Sequence, residues 1–175
     1  MGQFELAQAI EILEKTPTIL KTWLENASEE WVQYKRDEEH WSAFDIVGHF
    51  IHGEKTDWIP RAQLILQREG EKEFVPFDRF AQFEDSQGKT LADLLEEFGR
   101  LRKKNLDTLR GFDLQPDDFE RQGKHPELGT VNLGQLIATW VVHDLEHLSQ
   151  IAQEMAQRYK GDVGPWLEYL EVLKR

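Results

Sequence analysis

The sequence contains no cysteine. Disulfides, thiolate metal ligands and a protein thiol nucleophile are thereby excluded, and any sulfur chemistry has to arrive with a substrate. Positive charge is also scarce, since 21 Lys and Arg stand against 33 Asp and Glu for a formal net charge of -12. Binding a phosphate backbone needs a basic footprint, so nucleic acid is not an expected partner. No run approaches the roughly 18 to 20 apolar residues of a membrane span. The amino terminus, Met1 to Ala7, has neither the basic nor the apolar segment of a secretory leader. No membrane partner is expected, and the expected location is cytoplasmic.

What is present is the composition of an ordinary globular chain, with 39% hydrophobic residues and six tryptophans in 175 residues. That length suits one domain, 1-175, with one core. Its most informative stretch runs from Trp140 to Ile151. Leu133, Leu136, Trp140, His143, His147 and Ile151 follow at steps of three or four, the core stripe of a packed helix. Two imidazoles one turn apart on an apolar stripe need a shared partner, and a metal ion would serve both.

The rest of the chain reads as further helices. Phe4 to about Ala27 has helical spacing interrupted by Pro17, where a kink is expected. Residues 28–40 read equally as a loop or a short turn carrying Trp31. Ser42, with Asp45 three residues on, predicts the start of a second helix running to about Gln67 and bent at Pro60. Residues 69–89 lack a period and read as a long connection. Their phenylalanines either cover a pocket or simply tuck against the bundle. Thr90 and Asp93 open a third helix that ends at Gly111, and Asn132 caps the fourth, which extends to about Tyr159. Between these two, residues 112–130 are turn-rich, with His125 expected in a solvated loop. A short amphipathic segment after Pro165 is expected to pack back on the helices. The fold class is all-α, a four-helix bundle with a long 2-3 connection and a short C-terminal helix.

Three imidazoles with an open fourth position recur at zinc in enzymes, whereas closed structural sites use four protein ligands. The sequence His143-Asp144-Leu145-Glu146-His147 lacks the glutamate that metalloproteases place directly after the first histidine, which weakens a peptidase reading. His49 is the favoured third ligand because it lies among apolar residues of the second helix, and His52 is the runner-up. Asp45, Asp144 and Glu146 are candidates to orient a ring, with plain solvation as the alternative.

Trp41-Ser42-Ala43-Phe44-Asp45-Ile46-Val47-Gly48-His49-Phe50 followed by Trp58, the Phe74-Val75-Pro76-Phe77-Asp78 connection, and His143 to Ile151 together resemble the DinB-like superfamily of metal-dependent four-helix proteins. The resemblance implies an up-down-down-up bundle that often forms a homodimer. It also implies a divalent metal ion, zinc or nickel, on His49, His143 and His147. Members of that superfamily include transferases that use low-molecular-weight thiols such as bacillithiol or mycothiol, and a thiol-dependent isomerase. The expected function is therefore a metal-dependent transferase that activates a small-molecule thiol. The alternatives are a metal-dependent hydrolase and a non-enzymatic metal-binding bundle. No catalytic residue beyond the ligands is assigned.

Overall fold

Three of the long helices start at side-chain caps that the sequence announces. Ser42 accepts from the Asp45 backbone N–H, Thr90 from Asp93 and Asn132 from Gln135, each with the reciprocal bond of a capping box. The structure, a computed structural model, describes residues 4–174. Met1 to Gln3, which entered the reading of the amino terminus, lie outside the described residues. The helices are α1 (Leu6–Leu24), α2 (Glu29–Val32), α3 (Ala43–Thr56), α4 (Trp58–Leu66), α5 (Ala81–Asp85), α6 (Leu91–Gly111) and α7 (Leu133–Gln157).

Four of these form the bundle: α1, the α3–α4 pair, α6 and α7. Contacts along the helices give their directions. Phe50 stacks on Phe98 and Glu54 bonds Arg102 and Asn105, so α3 and α6 run parallel. Leu13 packs with Leu136 and Trp140 at one end and Leu20 with Leu148 and Ile151 at the other, so α1 and α7 are also parallel. The order is up-down-down-up. Both core clusters are almost wholly aliphatic and aromatic, and removing such side chains from water is the main force holding the helices together.

Two prolines act differently. α1 continues through Pro17. With no N–H, Pro17 leaves the Leu13 carbonyl free, and the Arg102 Nη1 donates to it at 2.8 Å. The expected second helix, by contrast, is two helices, because the chain breaks at Asp57, three residues before Pro60. A proline ring clashes with the carbonyl four residues back, so the path is disturbed at residues 56 and 57 and Pro60 itself fits in the first turn of α4.

Residues 112–130 are not merely turns. Gln122–His125 (β1) and Gly129–Asn132 (β2) form an antiparallel ribbon. The long connection adds to it, since Phe74 N–H donates to Lys124 O and Lys124 N–H to Lys72 O. This joins the ribbon to the connection as one wall beside α4 and α7. After α7 the chain takes short 3-10 turns. Leu173 is buried against the bundle, while Trp166 and Tyr169, expected to pack back, are exposed.

Candidate metal centre

α3 and α7 run antiparallel, and this brings His49 against His143 and His147. His49 Nε2 lies 3.0 Å from His143 Nε2. The ring centroids are 4.6 Å apart for His49 and His147 and 4.4 Å apart for His143 and His147. One nitrogen from each of the three rings can be chosen so that all lie within 4.8 Å of one another. His52 does not join them. It points to Phe77, with Nδ1 3.9 Å from an Asp85 oxygen.

The donor set fits a divalent ion. His49 Nδ1 meets the Gln82 Oε1 at 2.9 Å and His147 Nδ1 meets the Gln150 Oε1 at 2.8 Å. An amide oxygen only accepts, so each Nδ1 carries the ring proton and each Nε2 keeps a lone pair. The His49 lone pair faces His143 Nε2 at 3.0 Å, a contact that a cation or a proton between the two nitrogens satisfies, and His143 Nδ1 is buried without a hydrogen-bond partner. Burial, with the neighbouring imidazoles adding to it, pulls His49 down to about 3 and His147 down to about 4. Both rings are therefore neutral at pH 7, the form that binds metal.

The residues that orient the rings are not the predicted acids. Asp45 is committed to the Ser42 cap. Glu146 is exposed. Asp144 is fully buried, but its oxygen stands 4.0 Å from His143 Nδ1, beyond hydrogen-bond reach. It bonds Arg102 and Thr16 instead. Burial works against ionisation of Asp144, but the Arg102 guanidinium and the hydrogen bonds the carboxylate accepts together outweigh it and hold the carboxyl below its ordinary value; at Glu54, on the same guanidinium, burial prevails and raises it. The glutamines were missed, and one signal pointed to Gln82: Gly48 beside His49. A Cβ there would meet the Ser86 Oγ at 2.6 Å, so glycine lets α5 approach α3 closely enough to deliver Gln82.

The three imidazoles open into a cavity of about 580 Å³, of the size that takes a small-molecule ligand. Trp41, Trp58, Phe74, Phe77 and Leu136 give it an apolar lining. Phe77 also packs on His49, so the 69–89 connection does cover the site. His125, expected in a solvated loop, is a half-buried member of this wall. It packs edge-on to Phe74 and accepts through Nδ1 from the Glu127 and Leu128 backbone. Asp57 and Arg61 face the cavity as an ion pair at 2.5 Å. Burial raises the Asp57 carboxyl against the opposing pull of Arg61, His143 and His125.

Comparison with known proteins places this geometry. Residues 12–151 match the family model of the DinB superfamily. A protein of Oceanobacillus iheyensis named as a candidate metal-dependent hydrolase is 26% identical over 141 residues, covering 79% of each chain. Among solved structures, YfiT from Bacillus subtilis superposes with a TM-score of 0.74 at 20% identity, over 90% of this chain and 89% of that one. YfiT is described as a probable metal-dependent hydrolase with an unusual four-helix bundle topology.

Proposed function

The chain belongs to the DinB superfamily, and on that premise we propose that it is a metal-dependent transferase acting on a low-molecular-weight thiol, with zinc or nickel held by His49, His143 and His147. One observation carries the reading: three imidazoles converge at the end of an aromatic cavity with no fourth protein ligand among the described residues. An ion bound there supplies Lewis acidity that lowers the pKa of a thiol or a water at its open position.

The chain's own residues do the rest. Gln82 and Gln150 hold the Nδ1 protons and so aim Nε2 of their rings inward. Trp41, Phe50 and Phe77 pack around the imidazoles and give them an aromatic surround. An apolar lining suits a soft thiol and its organic electrophile, and a chain without cysteine has to borrow its thiol. A cytoplasmic setting, where such thiols are kept reduced, belongs to the same reading, as does a homodimer. Val142, 59% exposed, and Leu145, 49% exposed, give α7 an apolar outer stripe that supports self-association. No helix among the described residues is long and apolar enough to cross a membrane.

Hydrolysis is the second reading, favoured by the names of the relatives and by Asp57, a buried carboxylate on the cavity wall that could accept a proton from water. Titrating small thiols into cobalt-substituted protein separates the two. The transferase reading expects a strong new near-ultraviolet absorption from sulfur at the metal, with saturation. Protein that retains cobalt but shows no change with any thiol leaves hydrolysis as the better account.

A further inference from the structure

The shape of the cavity says more than its volume. Its lining residues on one side are His49, Gly53, Asp57 and Arg61, a row at steps of four along α3 and α4. On the other side the lining descends α7 from His147 through His143 and Thr139 to Gln135. The helices are antiparallel, and the stacking of Trp58 on Trp140 at 5.7 Å keeps α4 beside α7 past the break at Asp57. The cavity is thus a trough, imidazoles at one end and Arg61 at the other. Twelve residues of helix separate His147 from Gln135, or about 18 Å at the helical rise.

The far end is a built polar site. Arg61 is only 9% exposed. Its Nε pairs with Asp57, its Nη2 reaches the Val75 carbonyl at 3.4 Å, and its guanidinium lies over the Phe74 ring at 5.0 Å. These contacts fix the fork but leave Nη1 with no hydrogen-bond partner among the described residues. A guanidinium held in place with donors unspent is a receptor for a planar anion. Arg79, on the connection between Phe77 and Gln82, also lines the cavity but lies nearer the imidazoles, since both of those neighbours contact His49.

We infer that the substrate thiol is an elongated molecule with a carboxylate at the end remote from its sulfur, and that Arg61 binds this carboxylate while the sulfur lies at the imidazoles. This rests on the thiol reading above and adds to it the length and charge of the substrate.

The test uses cobalt-substituted protein and three ω-mercapto acids, mercaptoacetate, mercaptohexanoate and mercaptoundecanoate. Each is titrated beside its primary amide and the amine-ended thiol of matching length. The longest acid is expected to bind about tenfold tighter than its amide, the worth of one charge-assisted hydrogen bond. The shortest, unable to span the trough, is expected to show no such preference. Arg61→Gln should abolish the preference, with circular dichroism confirming that the variant folds, whereas Arg79→Ala, at an exposed position, should leave it in place. Equal binding of acid and amide, a preference that survives in Arg61→Gln, or tighter binding of the amine overturns the inference. Calorimetry of metal-free protein with dodecanoate and dodecanamide tests the anion end alone. If thiols fail to alter the cobalt spectrum while dodecanoate keeps its advantage, the thiol reading has failed and the carboxylate site stands. If thiols bind without regard to charge, the reverse holds.

Discussion

The Arg102 Nη1 donates to Asp144 Oδ2 at 2.5 Å and to the Leu13 carbonyl at 2.8 Å, so a single guanidinium ties α6 to α7 beside His143 and to α1 at the carbonyl that Pro17 frees. Its Nε reaches Glu54 on α3 at 2.9 Å, so all four bundle helices meet at this side chain. Arg102→Met would leave Asp144 and Glu54 buried without their counter-charge. The expected loss is about 3 to 5 kcal/mol in urea unfolding of the metal-free protein. A loss within experimental error of zero would mean that the bundle tolerates the unpaired carboxylates.

His49→Ala, His143→Ala and His147→Ala are each expected to purify with little metal, whereas His52→Ala keeps the wild-type content. Elemental analysis after dialysis against a weak chelator checks this. Full metal in the His49 variant would move the site elsewhere.

Gln82→Leu and Gln150→Leu keep the ligands but remove the oxygens that hold the ring protons at Nδ1. Metal affinity should fall by about 10- to 100-fold in each, with the fold intact. Competition against a chromophoric chelator measures it. Gln82→Glu, which keeps an acceptor oxygen, should restore most of the affinity.

The metal-free protein should lose stability as pH falls. His49 titrates at about 3 and His147 at about 4 when folded, against about 6.5 for a free imidazole. The unfolded chain therefore binds more protons across that interval. The contribution of these neutral rings is fully present above about pH 6.5 and drains away as pH drops towards 3. Urea titrations at a series of pH values should show a shallower slope in the His49→Gln, His147→Gln double variant than in wild type. Equal slopes would show that these rings do not govern the acid limb.

Gly123 lies where the ribbon crosses Phe74 and Ile65. A Cβ at that position would stand 2.7 Å from the Phe74 Cε1 and 2.9 Å from the Ile65 Cγ1. Gly123→Ala should cost about 1 to 3 kcal/mol through overpacking and shift the wall that carries His125. Thermal melts give the first effect, and quenching of Trp58 fluorescence by acrylamide reports the second through a more open cavity.

The helices of the bundle were legible in the chain because their signals are local. Ser42, Thr90 and Asn132 each stand three residues before the partner that completes the cap, and the stripe from Leu133 to Ile151 repeats every turn. The break at Asp57 was misplaced by three residues, because a proline acts on the carbonyl behind it rather than at its own position. The ribbon at 122–132 was hidden for another reason. Its strands are four residues each, both with a glycine, and only pairing with each other and with Phe74 makes them strands. Asp144, in the sequence a candidate either to orient a ring or to be solvated, does neither. Adjacent residues on a helix point about 100° apart, so Asp144 faces the bundle interior and Arg102 instead.

By itself, then, the sequence determined the all-helical class, the caps and the single face shared by His143 and His147, since each depends on residues three or four apart. Only the tertiary structure decided that Gln82 and Gln150 orient the rings, that Arg102 answers Asp144, and that Arg61 waits at the far end of the trough. Most of these depend on how distant elements pack: 33 residues separate Gln82 from His49, and 42 separate Arg102 from Asp144. Helical period carries no information over that range. The close approach permitted by Gly48 and the antiparallel lie of α3 and α7 supply it.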